Sequence, residues 1–386
     1  MYCRIQPSFD CKAHERVRGH LVRRFVLESI KRFSLIAILL SCGTVAAQGY
    51  LAGAWYVGNA SQIDRLEAQG FNLLLLDRGD FSQPTPPAGG WARDRNAHID
   101  DMLAALDTGS MAVLPLDIYP FYTQNWFSPE GMCQFVKKYG SHPKVYGFML
   151  RDDVNIKDNV GGCASAQDGD VTCPRISLWV VRWLNQMIRG TAGQANDCNG
   201  GASANDLAPG KKVMVTFLFD PSQNTNGHKY RWFDPKNVPP NFFTPGDTWD
   251  IILPYWYSHR YGVGPQQELN EMNTLYKDMA SVLNTRYTIP ILQAVDEPYN
   301  ATQDVLNLLA PATPMNSQYC RFRTHGVVNP SGTRAIIFFT ANGGLNNLLH
   351  RDGVEDISPS NYYYWEAGKT IQLHKNNMES GATCLY

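Results

Sequence analysis

From Tyr50 onward the chain is punctuated by short, unbroken apolar runs, each closed by polar or aromatic residues. The first four are Leu51–Val57 (LAGAWYV), Asn72–Asp77 (NLLLLD), Met111–Ile118 (MAVLPLDI) and Val145–Asp152 (VYGFMLRD). Lys212–Phe219 (KVMVTFLF), Asp250–Tyr257 (DIILPYWY), Ile289–Val295 (IPILQAV) and Ala335–Thr340 (AIIFFT) follow. Runs that are apolar throughout, rather than alternating with polar residues, are the pattern of strands buried on both faces.

Helical periodicity fills the intervals. Ser61–Gln69 carries Ser61 as its expected N-cap and is stopped by Gly70. Asn96–Leu106 puts Ile99, Met102, Leu103 and Leu106 on one face. Ser128–Tyr139 opens Ser-Pro-Glu, a helix start. Ile176–Ile188 and Gln267–Leu283 are amphipathic, and Asp304–Leu309 is a short helix. Strand and helix alternate around eight apolar runs, the rhythm of a (β/α)8 TIM barrel with insertions. A doubly wound open sheet is the rival fold, but no G-x-G-x-x-G turn follows any run. The Gly-rich or Pro-rich stretches Ser82–Gly90, Asp158–Pro174, Gln194–Gly210 and Pro221–Pro245 read as loops, the last standing where a fifth helix is due. The tail from Asn361 reads as a small C-terminal cap, a hairpin edge.

The first 47 residues read differently. Arg23, Arg24, Lys31 and Arg32 precede the apolar run Phe33–Cys42 (FSLIAILLSC), and Val45-Ala46-Ala47 supplies small residues. This is a secretory signal with its cleavage site, far short of the ~20 residues of a membrane span. Residues Met1 to about His20 look foreign to it, an over-extended start. Cleavage after Ala47 releases a soluble, secreted protein with one barrel domain over 48–386. The alternative is a lipoprotein box, Leu39-Leu40-Ser41-Cys42, leaving a lipid anchor on Cys42 in the periplasm or at the cell surface. Export suits the cysteines. Cys3, Cys11 and Cys42 fall in the leader, and six remain: Cys133, Cys163, Cys173, Cys198, Cys320 and Cys384. An even set in an exported chain reads as disulfides, with fifteen pairings open. The assignment adopted is Cys163–Cys173 across a Gly-rich loop, Cys320–Cys384 on the tail, and Cys133–Cys198.

Composition narrows the partner. In 386 residues, 34 Lys and Arg balance 35 Asp and Glu for a net charge of −1, so no broad field for nucleic acid exists. Aromatics reach 12% while charged residues are only 18%, which suits an uncharged, hydroxyl-rich ligand held against ring faces. No G-x-S-x-G elbow and no H-E-x-x-H occurs, and the nine histidines lack metal-ligand spacing. Neither metal nor cofactor is expected.

In a barrel the site lies at the C-terminal strand ends. Those positions hold Trp55 and Tyr56 on strand one, Asp77 on two, Asp117 and Tyr119 on three, and Asp152 and Asp153 on four. Asp220 ends the fifth, Tyr255, Trp256, Tyr257 and His259 the sixth, Gln293, Asp296 and Glu297 the seventh, and Asn342 the eighth. Like charges crowded on one rim destabilise a fold unless they serve a purpose.

The segment Val145-Tyr146-Gly147-Phe148-Met149-Leu150-Arg151-Asp152-Asp153, with its lead-in Tyr139-Gly140-Ser141-His142-Pro143-Lys144, resembles the fourth strand of TIM-barrel glycoside hydrolases. Asp153 stands where their pattern has its acid/base Glu, and Val154 stands where it has Pro. The resemblance implies Asp153 as general acid/base. It also implies a second carboxylate from strand seven, with Glu297 the first choice and Asp296 the second. Asp77 or Asp117 would be the partner in an inverting enzyme. Tyr257 and His259 would bind sugar hydroxyls or tune the nucleophile, and Trp55, Trp256 and Tyr119 would stack on sugar rings. The expected protein is therefore a secreted glycosidase acting on a poly- or oligosaccharide. The alternative is a catalytically inactive carbohydrate-binding barrel.

Overall fold

The computed structural model describes residues 49–77, 95–116, 129–151, 178–193, 197–198, 206–218, 248–255, 288–294, 319–320, 322–324, 328, 334–339, 341, 348–351, 354–355, 362–381 and 384. Their chain order runs β1 (Leu51–Val57), α1 (Ala60–Ala68), β2 (Leu73–Leu76), α2 (Arg95–Ala105), β3 (Met111–Pro115) and α3 (Pro129–Tyr139). It continues with β4 (Val145–Arg151), α4 (Leu178–Arg189), β5 (Lys212–Leu218), β6 (Ile251–Tyr255), β7 (Ile291–Gln293) and β8 (Ala335–Phe339). The short pair β9 (His350–Arg351) and β10 (Val354–Glu355) precedes the long α5 (Tyr362–Ser380).

Eight of these strands form one parallel sheet in the order β6-β5-β4-β3-β2-β1-β8-β7. The two ends meet where Ile252 bridges Thr288 in parallel and the Ile289 N–H donates to the Ile252 carbonyl at 3.0 Å. The sheet is thereby closed into the expected (β/α)8 barrel. Each apolar run predicted from sequence contains one barrel strand.

Continuous apolar runs supply two cores. Alternate residues face inward, where Leu73, Leu75, Val113, Met149, Met214, Leu253, Ile291 and Ile337 pack together. Their neighbours, including Ala52, Ala54, Leu74, Leu114, Phe148 and Phe338, face outward against Ile63, Leu66, Val136 and Val181 of the helices. Gly147 is fixed by this closeness, because a Cβ there would collide with the Lys212 carbonyl oxygen on β5.

Buried polar bonds pin the strand starts. The Asn72 Oδ1 accepts the Ala52 N–H at 2.8 Å. Lys144 Nζ caps the end of α2 by donating to the Leu103 and Leu106 carbonyls at 3.0 and 2.6 Å. Arg189, at the end of α4, donates to Asp206 Oδ2 (3.0 Å), the Ala208 and Lys211 carbonyls (2.9 and 2.7 Å) and Asp250 Oδ2 (2.5 Å). That same Asp250 oxygen accepts the Val213 N–H at 2.7 Å, so one guanidinium ties α4 to the entrances of β5 and β6.

Two details of the sequence reading change. Helix α1 begins at Ala60 with Asn59 in the cap position, and Ser61 lies inside the first turn, its hydroxyl donating to Asn59 Oδ1 at 2.6 Å. The C-terminal segment is a 19-residue helix rather than a hairpin edge. Its Tyr364, Ala367, Ile371 and Met378 recur at helical spacing and are buried, a period that the aromatic start and Gly368 obscure in the sequence. Gly368 lets α5 approach the Gln69 side chain, and Gly381 (φ 69°) ends the helix. Tyr364 donates to the Arg65 carbonyl at 2.9 Å and Arg334 to the Met378 carbonyl at 2.6 Å, so α5 lies along the β8–β1 seam.

The pairs Cys133–Cys198 and Cys320–Cys384 form as expected, with Cα separations of 5.1 and 5.6 Å. Cys163 and Cys173 lie outside the described residues, as do the leader, Pro221–Pro245, Gln267–Leu283 and Asp304–Leu309. With sequence separations of 65 and 64, each bond removes roughly 4 kcal/mol of chain entropy from the unfolded state. Replacing Cys133 or Cys320 by Ser is expected to lower unfolding free energy by about that amount, read by urea denaturation.

His374 of α5 is fully buried, edge-on to Tyr50 and Tyr319 at 5.8 and 5.3 Å. Its Nδ1 lies 3.3 Å from the Tyr319 hydroxyl. Burial first, and the Arg323 and Arg334 charges after it, push its pKa down to about 4. A base with a depressed folded pKa is neutral in the fold and takes up its proton on unfolding. Stability is therefore full above the ordinary pH of about 6.5 and falls as pH drops toward 4, by up to roughly 3 kcal/mol. Urea melts across that range should show the decline, and His374→Gln should flatten it.

Candidate active site

Because all barrel strands are parallel, their C-terminal ends open on one face, where barrels carry their chemistry. At β1 the pairing runs Ala54 to Leu74 and then Val57 to Leu76, so Trp55 and Tyr56 together oppose the single residue Leu75. Two against one is a β-bulge, a device that re-aims side chains. Tyr56 takes φ 57°, and among the described residues it is the only non-glycine with positive φ. Val57 returns to the outer core, whereas Trp55 joins the inner cluster and Tyr56 packs against it. Strict alternation would have sent these two neighbouring rings to opposite faces.

A third ring completes the group. Phe339, the last residue of β8, packs on the inner cluster with Tyr56 at 5.8 Å (62° between planes) and Trp55 at 6.2 Å (53°). Trp55 and Tyr56 meet edge to face at 5.8 Å and 90°. Backbone bonds knit this corner: the Ala341 N–H donates to the Trp55 carbonyl at 2.7 Å, and the Ala294 N–H to the Phe339 carbonyl at 2.5 Å.

Of the other residues singled out in the sequence, Tyr255 ends β6 inside the inner cluster, 5% exposed. Asp77 follows β2, its N–H donating to the Val57 carbonyl at 2.9 Å. Gln293 ends β7 opposite Phe339. Asp117, Tyr119, Asp152, Asp153, Asp220, Trp256, Tyr257, His259, Asp296, Glu297 and Asn342 lie outside the described residues. Phe339 was not anticipated. Its parity with Ala335 and Ile337, both inward, was the available signal.

Shifted groups gather at the opposite end. Tyr146, at the start of β4, is pushed up to about 12 by burial and then by the Asp250 charge. Lys211 lies below its ordinary value through desolvation while donating to the His142 and Val145 carbonyls at 2.9 and 2.7 Å. The Lys211 bonds pin the entrance of β4. Among the described residues, no cluster of three or more His, Cys, Asp or Glu could hold a metal ion. None of the described helices is long and apolar enough to cross a membrane.

No family model and no curated protein matches the chain. Solved structures do. A broad-specificity endoglucanase from an uncultured bacterium superposes with a TM-score of 0.51 at 12% identity, over 88% of this chain and 96% of that one. An endo-1,4-β-D-mannanase from Thermotoga petrophila RKU-1 gives 0.48 at 12% identity, over 84% and 99%. The endoglucanase match, with the closed eight-strand order, defines the class of architecture: a (β/α)8 TIM barrel. It is the fold of the glycoside hydrolases whose fourth strand the Val145–Asp153 segment resembles.

Proposed function

We propose that this chain is an exported glycoside hydrolase that cleaves a poly- or oligosaccharide with two carboxylates. One observation carries the reading: β4 and β7 are parallel members of the same closed barrel and end on the same face. In the sequence, Asp153 follows the β4 end at Arg151 by two residues and Glu297 follows the β7 end at Gln293 by four, which supports assigning both carboxylates to that face. The endoglucanase with this fold supports the choice of glycan as substrate.

The chemistry needs one carboxylic acid to protonate the leaving oxygen. A second carboxylate attacks the anomeric carbon or activates water. Asp153 is assigned the first role and Glu297 the second, with Asp296 as the neighbouring alternative. A carboxyl separation of about 5 Å would give retention, and roughly 6.5–9.5 Å inversion. The aromatic corner at β1 and β8 would hold a sugar ring. Export rests on the basic-then-apolar leader, with Cys42 as the alternative lipid anchor. N-terminal sequencing of the exported protein distinguishes cleavage after Ala47 from lipidation.

One feature favours a second reading. Asp153 is shorter by one methylene than the Glu of the pattern it resembles, which suits a glycan-binding barrel without turnover. Reducing-end release from a panel of neutral glucans and mannans decides between them. Turnover that vanishes in Asp153→Asn and Glu297→Gln establishes the hydrolase. Binding without turnover in the unaltered protein establishes the alternative.

A further inference from the structure

We infer that α5 is a releasable latch on the β8–β1 seam, with Cys320–Cys384 as its redox catch and His374 as its acid trigger. The buried face of α5 is not uniformly apolar. Beside the row Tyr364, Ala367, Ile371 and Met378 runs a buried polar row of Glu366, Thr370, His374 and Asn377. Buried polar groups hold a helix less firmly than apolar ones of the same size, because docking strips them of water. Among the described residues the Glu366 Oε2 meets no hydrogen-bond donor, and Thr370 turns its hydroxyl onto the Glu366 carbonyl of its own helix at 2.9 Å. The β1–β8 ladder, from Leu51–Ala335 to Ala54–Phe338, is complete without α5, so the ring stays closed when the helix leaves.

The polar row converges on the disulfide. Asn377 Nδ2 donates to the Tyr319 hydroxyl at 3.2 Å and lies 3.8 Å from Cys384 Sγ. His374 Nδ1 lies 3.3 Å from that same hydroxyl, and Tyr319 directly precedes Cys320. With the bond intact the end of α5 is pinned beside Tyr319, so its last turns cannot leave alone. Cys384 is half-buried, whereas Cys133 and Cys198 are only 5% and 7% exposed, so a reductant reaches Cys384 first. A dithiol's thiolate attacks Cys384 Sγ and expels the Cys320 thiolate. The second thiol then displaces Cys384, leaving two protonated cysteines and an oxidised dithiol.

Once uncaught, α5 responds to pH through His374. Facing that ring are Tyr50 ahead of β1, Tyr319 and Arg323, and Arg334 ahead of β8, while Glu379 of α5 acts on Tyr50. Burial holds the docked ring neutral, the Arg334 and Leu51 backbones oppose that, and the Arg323 and Arg334 charges add to it. Release lets the ring take up its proton. Release therefore grows as pH falls below about 6.5 and levels off near 4.

Hydrogen exchange on the full chain, read as protection factors at about pH 7.5 and about pH 5, tests the latch. In Cys320→Ser/Cys384→Ser, α5 amides should exchange ahead of β1–β5 amides, and their protection should fall about thirtyfold between the two pH values. Adding His374→Gln should hold that fall below about threefold. In the disulfide-bonded protein α5 and the strands should exchange together. Should the double variant not fold, the unaltered protein reduced with dithiothreitol takes its place. That reduction is a test in itself: iodoacetamide pulses should label Cys320 and Cys384 at least about tenfold faster than Cys133 and Cys198. Faster opening of Cys133–Cys198, joint loss of α5 and strand protection after reduction, or a pH response that survives His374→Gln overturns the inference. So does local exchange of α5 with the bond intact.

Discussion

Under the proposed roles, Glu297→Gln is expected to reduce glycan hydrolysis by about three to four orders of magnitude on every substrate, because it would remove the group assigned to stabilise the developing cation or form the bond. Asp153→Asn should behave differently. Removing a proton donor costs roughly 10²–10⁴-fold when the leaving group is a sugar alkoxide. With a dinitrophenyl glycoside, whose leaving group departs without protonation, most of that loss should disappear. Initial rates for both variants on polysaccharide and on the aryl glycoside check the assignment. Were Asp153→Asn equally impaired on both substrates, the acid role would pass to another carboxylate. If Glu297→Gln stayed active while Asp296→Asn did not, the two neighbours would exchange roles.

The second large effect concerns stability. Arg189→Ala should destabilise the barrel by about 3–5 kcal/mol, since it strands two carboxylates and two carbonyls that share one guanidinium. The Arg189 and Asp250 side chains are only 13% and 15% exposed, so water cannot take over those contacts. Arg189→Lys should recover little, because an ammonium cannot reproduce the planar fork that reaches β5 and β6 together. Equilibrium urea unfolding of the two variants measures both numbers.

The barrel was legible because strands covered on both faces need no alternation, and that leaves long apolar runs in the sequence. Leu51–Val57 was read with its structural bounds intact. Helix starts were less legible. Ser61 and Asn59 are both good caps, and nothing local decides which one stands outside the first turn. The Tyr56 bulge could not be read at all, because a two-against-one count depends on the partner strand as much as on β1. Trp55 and Tyr56 were singled out for their position alone, and the structure supplies the reason that both face inward. Phe339 is hidden in the sequence because it closes an unbroken apolar run, AIIFF, in which nothing polar marks the strand end.

Strand β1 is hydrogen-bonded to β8, with Leu51 aligned to Ala335, and α5 closes over that join. The earliest strand to leave the ribosome therefore keeps an unsatisfied edge until nearly the last one emerges. The inner strands β2 to β5 gain both neighbours in turn, but the ring itself cannot close until β7 and β8 emerge, so slow elongation or early termination leaves an open sheet with sticky, protease-sensitive edges instead of a smaller closed barrel.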